Sequence, residues 1–493
     1  MKHVIRILPG VPNDENRDYL PEAIREGEMV VNENGNNSQV YPKRLRECHG
    51  CVAPDGEEDT WFEYVPESYD PSKKTPLVFG MHGGLMTGWG QCIYTSWSLV
   101  ADREGFICVF PNAHKRRRWQ VECEDELKER LRAEGVTEVF EHPLDQTIEE
   151  NHDIHMILGL IDLMKQKYNI DEGRIYMQGM SLGNAMTMTI ARHFNGRFAA
   201  MAGSAGPSRM TQIYAPDGSL RYEGGPLAVF QTRVELDVPP PFSNDSIEEV
   251  AVKNREFWMK INGCNEIPRI RIIGEDNFAF YHGERADYVL RDVKNRDHGQ
   301  PFDDAEYMWD YLFSGTRREK DGSILHTPTA QPKEGDAYAY AFSAGSGKVW
   351  CHGKIEALGG KAFLWQKLKY HGLKGGARVR GEYMMVPVSF LAKAAGAELR
   401  EWDDGASAEL RMPDGSTLQA ARGCIGAVWN NRVICMLCEA VQRDGMLYLP
   451  AEWFFQRVLG KTATSYNGVL YATDHYAVLS LHMSRLLRDL LAE

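Results

Sequence analysis

Arg174-Ile-Tyr-Met-Gln178, then Gly179-Met-Ser181-Leu-Gly183, then Asn184-Ala-Met-Thr-Met-Thr-Ile-Ala-Arg192 is the stretch whose reading decides the fold. The first segment is short and apolar and reads as a buried strand. The last is rich in small, helix-tolerant residues and reads as a helix. A G-x-S-x-G between a strand and a helix has the context of a nucleophile elbow. Two glycines let the backbone turn tightly enough to lift the Ser181 hydroxyl clear of the sheet edge. The helix that follows aims its first N–H groups and its positive dipole end at that hydroxyl. The five-residue pattern alone arises by chance in a chain this long. Its flanking elements make Ser181 the candidate nucleophile.

A nucleophilic serine needs a base, an acid to orient that base, and donors for the oxyanion. Leu77-Val-Phe-Gly-Met81 is an apolar strand running straight into His82-Gly83-Gly84, the H-G-G pattern of an oxyanion loop. Donors are therefore expected near Gly84 and from the amide of Leu182, while His82 reads as a structural side chain bonding loop backbone. In hydrolases of this type the acid and then the base follow the serine along the chain. Of His282, His298, His326, His352, His371, His475 and His482, only His298 lies in a turn-rich loop after an alternating strand (Tyr288–Val293) and before a helix-like segment (Asp304–Phe313). His298 is the expected base. The acid comes from the loop after the strand Pro226–Gln231, where both Glu235 and Asp237 stand. Asp237 is favoured, because an E-x-D before a proline-rich turn usually presents the aspartate; Glu235 stays open as the alternative.

With these pieces in place, residues of about 60 to 315 resemble the polyhydroxybutyrate depolymerase-like esterase family, which includes feruloyl and acetylxylan esterases. The resemblance rests on Tyr64-Val-Pro-Glu-Ser-Tyr-Asp70, the strand into His82-Gly83-Gly84, Ala101 to Pro111, and Asp153 through Tyr168-Asn-Ile-Asp171. It also rests on the elbow, on Asn262-Gly-Cys264, and on His298 followed by Trp309. It implies an α/β-hydrolase fold and a serine carboxylic-ester hydrolase working through an acyl-enzyme without a cofactor. The substrates implied are feruloyl or acetyl esters of plant polysaccharide, or short polyesters. Two departures stand out: Asn184 replaces a second glycine after the elbow, and Arg233-Val234 replaces the usual His-Gly before the acid. The rival from another class is a non-catalytic binding or scaffold protein carrying a dead hydrolase domain.

A chain of 493 residues is too long for one core and suggests two or three domains. Its 43% hydrophobic and 25% charged content is that of an ordinary globular protein. No run approaches the roughly 20 apolar residues of a membrane span, so no membrane partner is expected. The start, Met1 to Gly10, holds too short an apolar stretch for a signal peptide, which points to the cytoplasm unless an export signal was removed. A net charge of −13 argues against nucleic acid as the main partner; the basic run Lys115-Arg-Arg-Arg118 reads as a solvated loop. Homo-oligomerisation is left open. The ten cysteines form no disulfide framework, and Cys92, Cys108 and Cys424 sit in apolar segments like small core residues. The pairs Cys48-His-Gly-Cys51 and Cys435-Met-Leu-Cys438 fall in different expected domains and do not compose a zinc site. No metal is expected.

The expected organisation is an extension over 1–55, polar around Asn32–Asn37, whose strand-like pieces extend the sheet, and an esterase domain over 56–316. A linker over 317–345 and a smaller α+β domain over 346–493 follow. Within the esterase domain the charged, helix-prone stretch Glu122–Glu150 reads as an insertion above the active-site face. In the last domain Tyr383-Met-Met-Val-Pro387-Val-Ser-Phe-Leu-Ala-Lys-Ala-Ala-Gly396 is echoed by Leu447-Tyr-Leu-Pro450-Ala-Glu-Trp-Phe-Phe-Gln-Arg-Val-Leu-Gly460. This repeat, over about residues 380 to 475, is similar to the copper amine oxidase N-terminal-like domain, a likeness that implies no copper site. Trp402, Trp429 and Trp453 read as packing residues there rather than as a carbohydrate platform.

Overall fold

The computed structural model describes residues 41–115, 117–371 and 376–493, and the chain divides into two compact units. The first comprises Met1–Glu266 and Phe280–Lys333; the second comprises Ile267–Ala279 and Glu334–Glu493. Most of the expected extension over 1–55, including Asn32–Asn37, lies outside the described residues, as does Arg116 of the basic run.

Eight strands of the first unit lie side by side. In chain order they are β1 (Leu45–Gly50), β2 (Asp59–Tyr64), β3 (Thr75–Met81), β4 (Ile107–Pro111), β5 (Ile170–Met180), β6 (Ala200–Ser204), β7 (Ala228–Leu236) and β8 (Tyr288–Asp297). Their spatial order is β1-β2-β4-β3-β5-β6-β7-β8. The β1–β2 and β2–β4 pairings are antiparallel; every later pairing is parallel. Of the central strands, β3, β4 and β6 are buried along their whole length, and β5 is buried from Ile175 to Met180. Such strands read as continuous apolar runs because helices cover both faces of a parallel sheet. This is the α/β-hydrolase arrangement.

The helices on the sheet are buried to different extents, Leu182–His193 almost all round. His152–Lys167 is capped by Asn151, whose side chain accepts from the Ile154 N–H, and it buries Ile154, Ile157, Leu160, Ile161 and Met164. Leu182–His193 starts directly at the elbow. Asp304–Tyr311 sets Trp309 on Phe106, ring centroids 4.4 Å apart, and Tyr176 of β5 stacks on Phe313 at 4.7 Å. The stretch Glu122–Glu150 contains the helix Asp125–Ala133 and a short hairpin, Glu138–Val139 with His142–Pro143. Buried ion pairs tie it to the body: Arg209 makes two bonds to Glu124, at 3.0 and 2.7 Å, and Arg192 pairs with Glu122.

Among the described residues the second unit contains three antiparallel sheets. Its repeat is visible as a local twofold: Gly376–Pro387 pairs with Met446–Pro450 so that Met385 faces Pro450 and Pro387 faces Tyr448. Each strand turns at its proline into a helical segment, Val388–Ala395 in one copy and Ala451–Trp453 running into a π turn (Phe454–Val458) in the other. Each segment stops at a left-handed glycine, Gly396 (φ 63°) or Gly460 (φ 62°). Trp453 is buried in the core that the two copies share, and Trp429 packs against it.

Three details differ from the sequence reading. Residues expected as linker contain the paired strands Thr316–Arg318 and Ile324–His326, and then Ala339–Ser343, the central strand of a sheet. Cys424 is exposed, because it falls in the turn between Thr417–Ala421 and Gly426–Trp429; Cys92 and Cys108 are buried. Among the described residues all ten cysteines are free, and no helix is long and apolar enough to cross a membrane.

Ile267–Ala279 is tied to distant parts of its own unit. Asp336 accepts from the Ile272 N–H at 3.1 Å, and Gly274 exchanges backbone bonds with Tyr476 and Val478. A chain ended at Lys333 removes all of these partners from a segment whose Ile270, Ile272 and Phe278 are fully buried. That truncation is expected to bind a hydrophobic dye more strongly than the full chain and to self-associate. An unchanged dye signal and a monodisperse sedimentation profile would show that these side chains stay covered without the deleted residues.

Candidate active site

Ser181 sits at the turn between β5 and the helix Leu182–His193 with φ 55° and ψ −118°, a conformation sparsely populated by non-glycine residues. Its surroundings force the conformation. A Cβ at Gly179 would lie 2.2 Å from the Gly183 carbonyl oxygen, and a Cβ at Gly183 would lie 2.4 Å from the Met81 and His82 oxygens. The Ser181 N–H donates to Ser204 O at 3.0 Å, fixing the elbow to β6. Asn184, the departure from glycine, lays its amide over Gly203, which has no Cβ to obstruct it, and donates to the Ala205 and Gly206 carbonyls at 2.6 and 3.0 Å.

Three side chains expected from the sequence converge here. His298 Nε2 lies 2.8 Å from Ser181 Oγ, and His298 Nδ1 lies 2.7 Å from Asp237 Oδ1. That geometry sets the tautomer: Nδ1–H donates to the carboxylate, and Nε2 accepts from the hydroxyl. Asp237 is almost fully covered, its side chain 2% exposed, and its Oδ1 also accepts from the Val238 N–H at 2.8 Å. Glu235 takes the other task open to this pair. Its Oε2 accepts from the Asn295 N–H at 2.9 Å, in the irregular end of β8 that leads to His298, where the backbone takes a positive φ of 56°. One carboxylate orients the imidazole and the other staples the strand end that leads to it.

Gly84 and Leu182 lie beside Ser181 and His298 on the wall of a cavity of about 420 Å³. Leu182 is the first residue of its helix, where backbone N–H groups have no intrahelical acceptor. Leu85, Val121, Phe140 and the run Val238–Pro241 supply apolar wall, with Arg118 and Arg209 among them. Phe140 belongs to the Glu122–Glu150 stretch and packs edge-on to Phe242, centroids 5.8 Å apart, so that stretch shapes the cavity.

His82 is fully buried and does not line this cavity. Its Nδ1–H donates to Gly83 O at 2.7 Å, its Nε2 accepts from the Ala113 N–H at 3.0 Å, and its own carbonyl accepts from Trp119 Nε1 at 2.8 Å. Burial drives its pKa from 6.5 down to about 4, against the smaller upward pull of the Gly83 bond. The ring stays neutral near neutral pH and welds the glycine loop to the residues after β4.

Sequence reasoning missed the polar layer beneath the triad. Gln300, two residues after the base, accepts from Gln91 at 3.1 Å and from Gln178 at 2.9 Å; Gln178 in turn accepts from Trp97 Nε1 at 2.9 Å. Asp304 accepts from Ser204, Thr232 and Arg291, joining the end of β6 and the middle of β7 to the helix after His298. These residues are buried. The available signal was polar side chains inside otherwise apolar strands, a hint that names no partner.

No family model matches the chain. A bifunctional acetylxylan esterase/xylanase from Neocallimastix patriciarum is 28% identical over 145 residues, which is 29% of this chain and 17% of that protein. The chain therefore spans less than a fifth of the length of the curated relative it matches. Among solved structures, an acetyl xylan esterase from Aspergillus awamori superposes with a TM-score of 0.38 at 14% identity, over 55% of this chain and 98% of that one. A CE1 ferulic acid esterase from Anaeromyces mucronatus does so with a TM-score of 0.32 at 14% identity, over 58% and 93%.

Two outcomes are expected. Asp237→Asn lowers ester turnover by on the order of 10³-fold or more by leaving the imidazole in the wrong tautomer. Glu235→Gln, which keeps an acceptor for Asn295, costs less than about tenfold. Steady-state kinetics on a p-nitrophenyl ester checks both, and a reversed order would exchange the two roles. For His82, the depressed folded-state pKa means that its neutral, bonded form contributes stability in full above pH 6.5. That contribution is lost as the pH falls toward about 4. The stability gap between wild type and His82→Asn, from urea unfolding, is expected to shrink by roughly 2–3 kcal/mol between pH 7 and pH 4.5. A gap independent of pH would show that His82 stabilises the loop by packing alone.

Proposed function

We propose that this protein is a serine carboxylic-ester hydrolase that works through an acyl-enzyme on feruloyl or acetyl esters of plant polysaccharide. The observation that carries this reading is the hydrogen-bonded relay from Ser181 through His298 to Asp237, opening into one cavity beside Leu182 and Gly84.

In this mechanism the ester carbonyl lies over Ser181 Oγ. As Oγ attacks the carbonyl carbon, its proton passes to His298 Nε2, and Asp237 stabilises the imidazolium that forms. The oxyanion accepts from the Leu182 amide and from the backbone at Gly84. Collapse of the tetrahedral intermediate breaks the ester C–O bond, and His298 returns the proton to the leaving alcohol. Water then enters and attacks the acyl carbon as His298 Nε2 takes its proton; the acyl C–Oγ bond breaks, His298 returns the proton to Ser181 Oγ, and the acid leaves. The positions of the charges are set before substrate arrives, so little reorganisation is needed as the barrier is crossed.

The partial relative named as an acetylxylan esterase/xylanase supports the polysaccharide-ester class. The cavity of about 420 Å³ lies within the ~300–1,000 Å³ typical of small-molecule sites. Its walls of Leu85, Phe140 and Pro239–Pro241 suit a planar aryl acyl group, and an acetyl group alone would leave most of the space unfilled. The second unit enters this reading as an appended module: its repeat carries no serine, histidine and acid set.

Ser181→Ala is expected to preserve the fold and to lower turnover by several orders of magnitude, on the order of 10⁶-fold in kcat for triad knockouts. It should also abolish labelling by a fluorophosphonate probe. On the wild type, methyl ferulate is expected to give the highest kcat/KM, ahead of acetylated xylan and a hydroxybutyrate oligomer. A preference for the oligomer would move the reading to a short-polyester depolymerase. A chain that hydrolyses none of the three and resists the probe would be a binding protein on a hydrolase scaffold.

A further inference from the structure

A second cluster of chemistry-bearing side chains lies in the first unit away from the triad: Asp59 at the start of β2, His114 in the loop after β4, and His152 at the first position of the helix His152–Lys167. Each offers one ligand atom, and these atoms all lie within 4.8 Å of one another. Asp59 Oδ1 is 2.7 Å from His152 Nε2 and 3.6 Å from His114 Nδ1. The other oxygen, Oδ2, is committed to the Val52 and Ala53 N–H groups at 3.1 and 3.3 Å, so Oδ1 faces the two rings.

The far nitrogens of both rings are held by carboxylates. His152 Nδ1 is 2.5 Å from Asp55 Oδ2, and His114 Nε2 bonds Glu57 Oε2. With those nitrogens donating, His152 Nε2 and His114 Nδ1 each present a lone pair toward Asp59 Oδ1. Three electron-rich atoms then converge. The ring centroids are 3.7 Å apart, too close for both imidazoles to hold a positive charge comfortably. A proton on His152 bridges one of the contacts and leaves the other open. Among the described residues His114 Nδ1 has no hydrogen-bond partner, and it is buried on a side chain only 10% exposed. A cation satisfies all three atoms at once.

We propose that Asp59, His114 and His152 bind a divalent transition metal, zinc by preference. Two imidazole nitrogens and one carboxylate oxygen are a donor set for zinc, whereas calcium takes six to eight oxygens. Ligands about 2.0–2.1 Å from a tetrahedral ion stand roughly 3.3 Å apart, between the two separations at Asp59 Oδ1. Asp55 and Glu57 occupy the outer positions that fix ligand tautomers in carboxylate–histidine–metal arrangements. Water completes the fourth position. Such an ion joins three elements that otherwise meet through backbone and side-chain hydrogen bonds. One is the loop after β4, where Asp153 accepts from the His114 and Gln120 N–H groups at 2.9 and 2.7 Å and Ala113 donates to His82. The ion therefore braces the loop against which the His82-Gly83-Gly84 segment is set.

The test uses the full chain, stripped with a chelator, reloaded with zinc chloride and dialysed. Metal content is read by elemental analysis, affinity by calorimetry, and stability by thermal unfolding. Expected are one zinc per chain, a rise in Tm on reloading, and an affinity lowered at least about 100-fold in Asp59→Asn and His152→Gln. Because Asp59 is buried and its variant is at risk of misfolding, Glu57→Gln serves as the second variant. Glu57 is half-exposed and its carboxylate bonds the outer nitrogen of His114, so its loss should weaken binding ~10–100-fold with the fold intact. Cobalt loading is expected to give weak d–d bands without thiolate charge-transfer absorption, which separates this site from Cys48–Cys51 and Cys435–Cys438. A chain that retains no zinc would overturn the proposal and leave a proton-bridged ion cluster. So would undiminished affinity in folded Glu57→Gln and His114→Gln, or a thiolate band in the cobalt spectrum.

Discussion

The backbone conformation at Ser181 is the constraint on which the rest of the first unit depends. A serine at φ 55° and ψ −118° exists only where its neighbours leave no alternative. The contacts that enforce it are made by atoms that are absent: the Cβ positions of Gly179 and Gly183 are taken by the Gly183, Met81 and His82 carbonyls. The end of β5, the first turn of the helix Leu182–His193 and the end of β3 are thereby held against one another. Ser181 and the glycine loop keep their separation because a single close-packed contact sets both.

The base is placed differently. His298 lies on a loop, where backbone order has to be supplied from outside. Glu235 holds the end of β8 at Asn295 just before that loop, Gln300 anchors the loop to Gln91 and Gln178, and Asp304 ties the helix beyond it to Ser204, Thr232 and Arg291. Burying so many polar groups is tolerable only because they satisfy one another. Removing one partner strands the rest at a cost of roughly 1–3 kcal/mol each. The same logic governs the stretch Glu122–Glu150, whose Glu122 and Glu124 meet buried arginines while its Phe140 reaches the cavity. Charge anchors the element, and an aromatic ring does the shaping.

Asp59, His114 and His152 extend this pattern to the other side of the glycine loop. His82 joins the two regions: its imidazole is bonded to Gly83 on one side and to Ala113, next to His114, on the other. A neutral, fully buried histidine is a rigid spacer, with one nitrogen donating and one accepting. The glycine loop at the cavity wall is thus fixed from behind by groups that do not line the cavity.

Much of this was legible in the chain itself. The elbow, the strand into His82-Gly83-Gly84 and the order serine, acid, histidine are local patterns, because tight turns and buried strands impose their composition on contiguous residues. The pairing of Tyr383–Gly396 with Leu447–Gly460 was visible for the same reason, each copy carrying its own proline and left-handed glycine. Other features were decided by tertiary structure alone. The assignment between Asp237 and Glu235 turns on which carboxylate points at His298 and which at Asn295. Asn184 fits because Gly203, on another strand, is empty. Cys424, in an apolar stretch, is exposed because that stretch makes a turn. The glutamine layer and the Asp59–His114–His152 cluster join residues far apart in sequence, and no local periodicity records which distant strand or helix will face a side chain. Sequence determined the elements and the chemistry they carry; the packing of the sheet decided which polar atoms meet.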